Sequence, residues 1–395
     1  MLPYSGEKKP LRELMMTIQS KRELLNVMHP RYLKANKAQK THILDEFVAA
    51  TGYHRKYATS LLKRGPRPPR LKKKVGRKKT YQGEVIKTLE HIWEICGRIC
   101  SKRLQPFLPE IVTVLERCHE IQMLPDTKKL LLQMSCSTID RCLKPARFRT
   151  KKHGLSTTKP GSLLKSAIPV HTFTNWDDEK PGFVEIDLVA HCGETTAGQY
   201  LNTLTVTDIA TGWTECLAIL HKSQEMVSQA IIDLRQQLPF PLLGIDSDNG
   251  TEFINHTLYR YCQDEEITFT RCRPYKKNDQ AHVEQKNWSV VRRLIGYDRF
   301  ETAEELALLR TIYDDWRLYV NFFQPVLKLS AKKRIGSKVI KFYDTAATPF
   351  RRVLASDLVS IDHKARLIFL YNQLNPVILR KQIDDNVAIL WKLVR

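Results

Sequence analysis

The chain has 395 residues, of which 42% are hydrophobic, and 64 Lys and Arg against 42 Asp and Glu give it a formal net charge of +22. This length predicts two to four domains with ordinary cores, and the positive excess fits a polyanionic partner whose phosphates Lys and Arg neutralise. An acidic membrane is the rival polyanion, but no stretch reaches the apolar length of a transmembrane helix and MLPYSGEKKP is no secretory signal. We therefore expect a cytoplasmic, bacterial-type protein that is not bound to a membrane.

The nine cysteines predict reduced thiols. Their number is odd and no C-x-x-C pair occurs, which argues against a disulfide framework. The spacing of His91, Cys96 and Cys100, and that of Cys118 and His119, is wrong for the usual zinc sites. We expect neither disulfides nor structural zinc.

Residues 11 to 64 are predicted to be helical, because apolar side chains recur there at roughly helical spacing. Thr51-Gly52-Tyr53 interrupts the pattern, and a short basic helix resumes with Tyr57, Ala58, Leu61 and Leu62 inward. This is the outline of a helix-turn-helix, whose outward side chains suit a major groove; a generic helical hairpin with a solvated basic face is the alternative. The outward side chains are His54, Arg55, Lys56, Thr59, Ser60 and Lys63, and Arg55, Lys56, Thr59 and Lys63 are the candidate DNA contacts.

A basic segment follows from Arg64 to Thr80, with three prolines, two glycines and no acid. It has almost nothing apolar to bury and cannot pack as a domain. An extended strap along a DNA backbone is one interpretation, and a solvated linker is the other. The candidate contacts are Arg70, Lys72, Lys73, Arg77 and Lys78.

A second helical block is predicted from residue 81 to residue 145. Leu130 to Leu132 belong to a support helix, a polar turn follows at Ser135 to Ser137, and a short helix carries Ile139, Cys142 and Leu143 inward. Its outward side chains Ser137, Thr138, Arg141 and Lys144 predict a second DNA-binding helix-turn-helix module, with Ser137, Thr138 and Arg141 as the candidate contacts.

From Gly182 the pattern changes to strands at Phe183 to Ala190, Tyr200 to Ile209, Trp213 to Leu220 and Leu242 to Ile245, with a helix before the last. This order is RNase H-like and places the centre of the first strand beside the end of the fourth. Three acids lie on separate elements of this region. They are Asp187 on the first strand, Asp248 at an Asp-Asn-Gly turn after the fourth, and Glu284 at a helix start 36 positions later.

Carboxylates grouped in this way suit phosphodiester chemistry, which uses two hard cations about 4 Å apart that prefer oxygen ligands. Each acid alone has a simpler interpretation: Asp187 as a solvent-facing strand residue, Asp248 as a turn cap and Glu284 as a solvated helix residue. The residues alone do not separate Asp248 from Asp246. The other competing acids are Glu185, Glu252 and Asp279.

The segments VEIDLVAHCG, SDNGTEF and HVEQKN, with 35 residues between Asp248 and Glu284, resemble the DDE pattern of the retroviral integrase and transposase superfamily. The resemblance is to the integrase-core branch of bacterial insertion-sequence transposases in particular. The resemblance covers roughly Pro181 to Val320. It implies that Asp187, Asp248 and Glu284 are catalytic and hold two Mg²⁺ (or Mn²⁺) ions per active site. Further DNA contacts are expected from a basic loop and the Glu284 helix, at Lys276, Lys277, Asn287 and Arg292.

The resemblance is incomplete in two places. The amino-terminal zinc-binding His/Cys domain of retroviral integrases has no match, and Trp288 stands where the family often has a polar residue one turn after Glu284. Asn287 does match the family pattern.

The function implied is that of a DDE transposase, which binds the terminal repeats of an insertion sequence, cleaves at the element ends and joins the 3'-hydroxyl to target DNA. Its partners would be double-stranded DNA, both ends and target, and further copies of itself, since two ends must be brought together. Such a protein would be nucleoid-associated. The alternatives are a catalytically retired transposase that regulates through DNA binding by residues 11–145, and a nuclease that cuts without joining.

The expected organisation has an α/β RNase H-like catalytic domain after α-helical helix-turn-helix modules and before a basic C-terminal region. The first part of that region contains eight Lys and Arg and only one acid, Asp344. After it, two amphipathic helices separated at Asn375-Pro376 are expected to form a packing tail or a protomer contact. The predicted boundaries are 1–64, 65–80 (basic linker), 81–145, 146–177 (basic connector), 178–322 (catalytic) and 323–395.

Overall fold

The computed structural model describes residues 16–66, 80–149, 180–248, 250, 252–253, 255–271 and 281–394. The chain divides into two compact units, Met1–Lys78 and Lys79–Arg395. None of the helices in these described ranges is long and apolar enough to cross a membrane.

The first unit contains three helices packed around Phe47, Ala58 and Leu62. A Gly52 with φ of 70° ends the second helix, and its left-handed conformation suits glycine. Tyr57, predicted to face inward, is 53% exposed instead, because the third helix buries only the i, i+4 pair Ala58 and Leu62. The helices are α1 (Ile18–Lys34), α2 (Lys37–Thr51) and α3 (Arg55–Arg64).

The second unit begins with four helices that share one apolar cluster with the sheet that follows. Hydrogen bonds reinforce this packing: Tyr319 Oη donates to the Ile95 carbonyl at 2.5 Å and Gln324 Nε2 donates to the Cys96 carbonyl at 2.9 Å. The helical block and the sheet are therefore built on a continuous core. The four helices are α4 (Glu84–Ile95), α5 (Ser101–Arg117), α6 (Pro125–Leu132) and α7 (Cys136–Arg149).

The sheet has five strands in the order β3-β2-β1-β4-β5. β2 pairs antiparallel with both β1 and β3, whereas β4 pairs parallel with both β1 and β5. This mixed sheet confirms the predicted RNase H-like α/β domain, although the short fifth strand was not predicted. The elements are β1 (Phe183–Ala190), β2 (Asn202–Asp208), β3 (Thr214–Ile219), α8 (Gln224–Arg235), β4 (Gly244–Ser247), α9 (His256–Asp264) and β5 (Thr268–Arg271).

A long helix, α12, covers the free edge of β3. Arg317 on this helix forms two hydrogen bonds, of 2.6 and 2.8 Å, with the buried carboxylate of Glu215. One turn later, Asn321 accepts from the Thr214 N–H at 2.9 Å and donates to the Thr214 carbonyl at 2.8 Å. The amide thus pairs with an edge strand as another strand would. The preceding elements are α10 (Ala281–Lys286), a π-helical segment (Asn287–Arg292) and α11 (Arg293–Ile295), and α12 spans Ala303–Phe323.

The C-terminal region forms a two-stranded hairpin and three helices. The two predicted terminal helices are confirmed, with the break at Asn375, whose side chain caps the last helix. That helix packs on α12 and buries Leu379, Ile383 and Leu390, which favours the packing-tail interpretation. The hairpin was not predicted. The elements are β6 (Leu329–Ile335), β7 (Lys338–Tyr343), α13 (Pro349–Ala355), α14 (Ile361–Gln373) and α15 (Pro376–Leu393).

The described cysteines are all free thiols, as predicted. Burial raises the pKa of the Cys96 and Cys216 thiols to about 12, so these two groups are inert core fillers rather than reactive thiolates.

The Asn321 contact generates a stability prediction. Asn321→Ala leaves the buried N–H and carbonyl of Thr214 without partners, and each such group costs about 1–3 kcal/mol. We expect urea unfolding of the variant to show a loss of about 2–4 kcal/mol in the free energy of unfolding. Thr311→Ala, an exposed change on the same helix, should stay within about 0.5 kcal/mol of the unmodified protein; equal effects of the two substitutions would contradict this role for Asn321.

Candidate active site

Two of the three predicted acids belong to neighbouring parallel strands: Asp187 lies on β1, and Asp248 directly follows β4. β1 pairs with β4 in a register that ends at Glu185↔Asp246. Asp187 and Asp248 each follow this pair by two residues, and alternate side chains of a strand share a face. Neighbouring strands lie about 4.8 Å apart. Continuing the register therefore brings Asp187 and Asp248 side by side at the carboxyl end of β4.

A buried glutamate on β1 holds the start of α10. Oε2 of Glu185 accepts hydrogen bonds from the backbone N–H groups of His282 at 2.9 Å and Val283 at 2.8 Å. The first N–H groups of a helix have no acceptor within the helix, so the carboxyl supplies one. This contact fixes against β1 the helix that carries Glu284.

Asn287 joins the same helical stretch to Asp187. Its Nδ2 donates to Oδ2 of Asp187 at 2.6 Å, while Oδ1 of Asp187 accepts from the Leu188 N–H at 2.8 Å. Glu284 lies three residues before Asn287, and residues i and i+3 share a helix face. Asn287, predicted as a DNA contact, thus contacts the carboxylate of Asp187. It begins a π-helical segment, a feature that is frequent at functional sites.

The pKa of Asp187 depends in part on the other two acids. The pKa of Asp187 is raised to about 6, first by burial and then by the negative charges of Asp248 and Glu284, against the hydrogen bonds from Leu188 and Asn287. Charges act on one another in this way only at short range or in a poorly hydrated site. The three carboxylates therefore accumulate negative charge at one edge of the sheet.

The competing acids Glu185 and Asp246 lie beneath this edge. Both side chains are 0% exposed, and Oδ1 of Asp246 accepts from Thr270 Oγ1 at 2.7 Å. Burial, followed by the charge of Asp246, raises the pKa of Glu185 to about 8, although the Val283 N–H lowers it. A buried carboxyl with a raised pKa, such as that of Glu185, suits a structural role better than cation binding, whereas Asp248 is only half-buried.

The donor set of Asp187, Asp248 and Glu284 fits a hard divalent cation, since all its ligating atoms are carboxylate oxygens. The negative charges of Asp248 and Glu284 also contribute to the raised pKa of Asp187. Within the residues that the structure describes, however, no three His, Cys, Asp or Glu side chains are gathered closely enough to hold a metal ion. The hydrogen bond of Asn287 occupies one oxygen of Asp187 in this arrangement.

A cavity of about 1220 Å³ lies behind α10. Lys286 projects into it, donates from Nζ to the Gly212 carbonyl at 3.0 Å and has its pKa lowered to about 7, first by burial and then by Arg103. Most ionisable groups of the lining are cationic. They include Arg98, Arg103, Lys286, Arg293, Lys328, Arg380 and Lys381, against Glu94, Asp384 and Asp385.

The predicted DNA contacts of the helical modules lie on exposed or half-exposed positions. Arg55 pairs with Asp45 on α2, and Thr59 donates to the Arg55 carbonyl at 2.8 Å. On α7, Arg141 donates to the Ser137 carbonyl at 3.3 Å. The other predicted contacts of the two modules are Lys56 and Lys63, which are exposed, and Thr138, which is half-exposed.

Arg292 is held within the protein rather than presented to solvent. Its guanidinium donates to the Ala190 carbonyl at 2.7 Å and lies over the Tyr297 ring at 4.8 Å. The remaining predicted contacts fall outside the described residues. They are Arg70, Lys72, Lys73, Arg77, Lys78, Lys276 and Lys277.

Sequence reasoning missed the role of Glu185. The only signal available was two acids, Glu185 and Asp187, two positions apart in an otherwise apolar strand. Such spacing puts both on one face, but it does not show that one of them is buried under a helix start.

The family model for the integrase core domain matches residues 177–277. A Sinorhizobium fredii protein named "Uncharacterized protein y4rM" is 40% identical over 337 residues, which are 85% of this chain and 96% of that protein. The match to the family model includes Asp187 and Asp248 and ends before Glu284.

Two solved structures are similar to part of this chain. The catalytic core domain of BIV integrase has 19% identity and a TM-score of 0.31, and the alignment covers 45% of this chain and 95% of that one. The HTLV-2 integrase catalytic core domain, in complex with magnesium in a dimeric form, has 15% identity and a TM-score of 0.29, with coverage of 38% and 93%.

Glu185 generates a pH prediction. Its carboxyl keeps a proton up to about pH 8 in the folded protein, against an ordinary value of 4.5. Between these values the unfolded chain has released a proton that the folded chain retains, so stability falls as pH rises across the window. Glu185→Gln should remove part of this fall, and its Tm relative to the unmodified protein should be higher at pH 8 than at pH 5.

The matched control is Glu194→Gln, an exposed acid of the same unit, which should follow the unmodified protein at both pH values. Glu185→Ala should lower stability by about 1–3 kcal/mol, because it leaves two helix N–H groups without an acceptor. Parallel pH profiles for Glu185→Gln and the unmodified protein would contradict the burial of a protonated carboxyl.

Proposed function

Because this chain belongs to the integrase-core superfamily of transposases and integrases, we propose that it is a DDE transposase of the insertion-sequence type. It binds the terminal repeats of its element, cleaves at the element ends and joins the released 3'-hydroxyl to target DNA. This proposal is supported by the parallel register of β1 and β4, which leads Asp187 and Asp248 to the same end of the sheet. It is supported as well by the hydrogen bond to Asp187 from Asn287, which lies three residues after Glu284.

In this proposal Asp187, Asp248 and Glu284 hold two Mg²⁺ or Mn²⁺ ions. Such ions, when bound, activate the attacking oxygen and stabilise the leaving oxygen of an in-line displacement. The chain's own contribution is placement: the β1–β4 register sets the two aspartates, and Glu185 sets the helix of Glu284. Asn287 orients the carboxylate of Asp187 by its hydrogen bond to Oδ2.

The protonation state of Asp187 supports the same assignment. With a pKa raised to about 6, this carboxyl is largely ionised at neutral pH and available as a ligand. Its charge is nevertheless unfavourable beside Asp248 and Glu284, so a bound cation would stabilise the ionised form. No protein nucleophile is needed, since the attacking groups are water and the DNA 3'-hydroxyl.

DNA recognition is proposed for the two helical modules. In the first, α2, the turn and α3 leave Arg55, Lys56, Thr59 and Lys63 at positions open to a groove; in the second, α6 and α7 do the same for Ser137, Thr138 and Arg141. Tandem modules raise affinity because binding of the second becomes intramolecular. The protein is proposed to act as a dimer or higher oligomer on DNA, since two ends must meet.

The decisive test substitutes the acids. Asp187→Asn, Asp248→Asn and Glu284→Gln should each lower strand transfer in Mg²⁺ or Mn²⁺ by more than roughly 100-fold, because each removes a carboxylate ligand of the cations that would stabilise the transition state. Binding to element ends should stay within a few-fold. The assay is joining of a labelled end duplex to target DNA, measured beside gel-shift affinity.

Glu252→Gln is the matched control, since Glu252 follows the Asp248 turn and carries the same charge. It should retain strand transfer. A fully active Glu284→Gln protein would contradict the catalytic assignment. End binding without joining by the unmodified protein would favour the DNA-binding regulator, and cutting without joining would favour a nuclease.

A further inference from the structure

The hairpin formed by β6 and β7 projects from the second unit with both faces open to solvent. All its strand residues are exposed except Ile340, which is half-exposed. Gly336, with φ of 60°, opens the two-residue loop between the strands, where positive φ is favoured. An isolated two-stranded hairpin is at best marginally stable in water, so this one is suited to gain stability from a partner.

The base of the hairpin is firmly attached. Val326 and Ala347 exchange backbone hydrogen bonds of 2.9 and 3.2 Å. Next to them, Oδ1 of Asp344 accepts from the Lys328 N–H at 2.7 Å, and Arg352 pairs with Oδ2 of the same carboxylate at 2.7 Å. Asp344 is the one acid of residues 326–347, and its carboxylate is already paired at the base of the hairpin. The hairpin itself, Leu329–Tyr343, contains no acid.

The strand register sorts the hairpin's side chains onto two faces. Lys332 pairs with Lys341 and Arg334 pairs with Val339, so these four residues share one surface, here called the basic face. The other surface, called the mixed face, comprises Ala331, Lys333, Ile335, Lys338, Ile340 and Phe342.

Lys332 and Lys341 oppose each other directly across the strands. Side chains in such positions have Cβ atoms about 4.5–5.5 Å apart, and like charges there destabilise a hairpin. Neither lysine forms an ion pair with an acid in the described parts of the chain. An arrangement that is unfavourable alone becomes favourable when an anion lies between the two ammonium groups.

The hairpin starts beside the catalytic helix. Lys328 and Tyr343, at its base, line the same cavity as His282 and Lys286 of α10. His282 is two residues before Glu284. An anionic polymer that follows the hairpin is therefore led toward the edge of the sheet where the acids converge.

We propose that the β6–β7 hairpin is a DNA-binding arm whose basic face grips the phosphate backbone of duplex DNA next to the active site. Lys332 and Lys341 straddle a phosphate and Arg334 contacts its neighbour, which makes the grip independent of sequence. A two-stranded ribbon has the width that a DNA groove admits. This inference rests on the proposed function, because it takes DNA as the substrate.

The test compares two double variants of the full-length chain that remove equal charge from the same hairpin. Lys332→Ala/Lys341→Ala alters the basic face, and Lys333→Ala/Lys338→Ala alters the mixed face. Affinity for a duplex is measured by fluorescence anisotropy across a salt series. We expect the basic-face variant alone to bind more weakly and to lose about one to two units of the log K against log salt slope, since each phosphate contact contributes about 0.9.

Thermal unfolding without DNA separates binding from folding. Removing the opposed lysines relieves repulsion, so the Tm of the basic-face variant should equal or exceed that of the unmodified protein while its DNA affinity falls. Weaker binding that accompanies a lower Tm in this variant would overturn the assignment. Equal losses of affinity in both double variants, or none in either, would also overturn it.

Two further outcomes are distinguishable. If mixed-face substitution changes the association state in sedimentation while basic-face substitution leaves DNA binding unchanged, the hairpin contacts a second copy of the chain and the proposal is wrong. If the unmodified protein binds no duplex, the proposed function itself fails and the hairpin assignment fails with it. Loss of strand transfer in Glu284→Gln with normal duplex binding leaves the hairpin test fully informative.

Discussion

The two hydrogen bonds from the start of α10 to the Glu185 carboxyl are the contact on which the candidate site depends. Asp187 and Asp248 reach the same edge by strand pairing, which fixes them without help from the helix. Glu284 has no such support from the sheet register. Its place follows from α10, which continues into the π-helical segment and α11 and whose N-terminus is anchored to the strand that carries Asp187.

The surroundings of this contact are buried and polar. The buried pair Glu185 and Asp246 lies under the acids, and burial favours the protonated form of Glu185, which the helix N–H groups alone would not do. On the opposite side of α10, Lys286 is buried against the Gly212 carbonyl. The helix that carries Glu284 is therefore held by polar contacts on two sides.

Much of the fold could be predicted from the sequence because the signals were periodic. β1, β2 and β3 follow alternating or continuous apolar runs, and the three acids stand out by type, order and spacing. The role of Glu185 could not be predicted, since burial of a strand glutamate depends on a helix about a hundred residues away. The β6–β7 hairpin was not predicted because its lysine-rich strands bury almost no apolar side chains, so they lack the usual strand pattern. The inward orientation predicted for Tyr57 was wrong because α3, a helix of ten residues, buries a stripe too narrow to include it.

The most direct measurement is anomalous diffraction from crystals of the protein bound to an end duplex and soaked in Mn²⁺. We predict anomalous peaks in contact with carboxylate oxygens of Asp187 and Asp248, with Glu284 completing the site, and none at Glu185 or Asp246. Peaks coordinated by Glu185 and Asp246, or an absence of Mn²⁺ from all three predicted acids when DNA is bound, would contradict it.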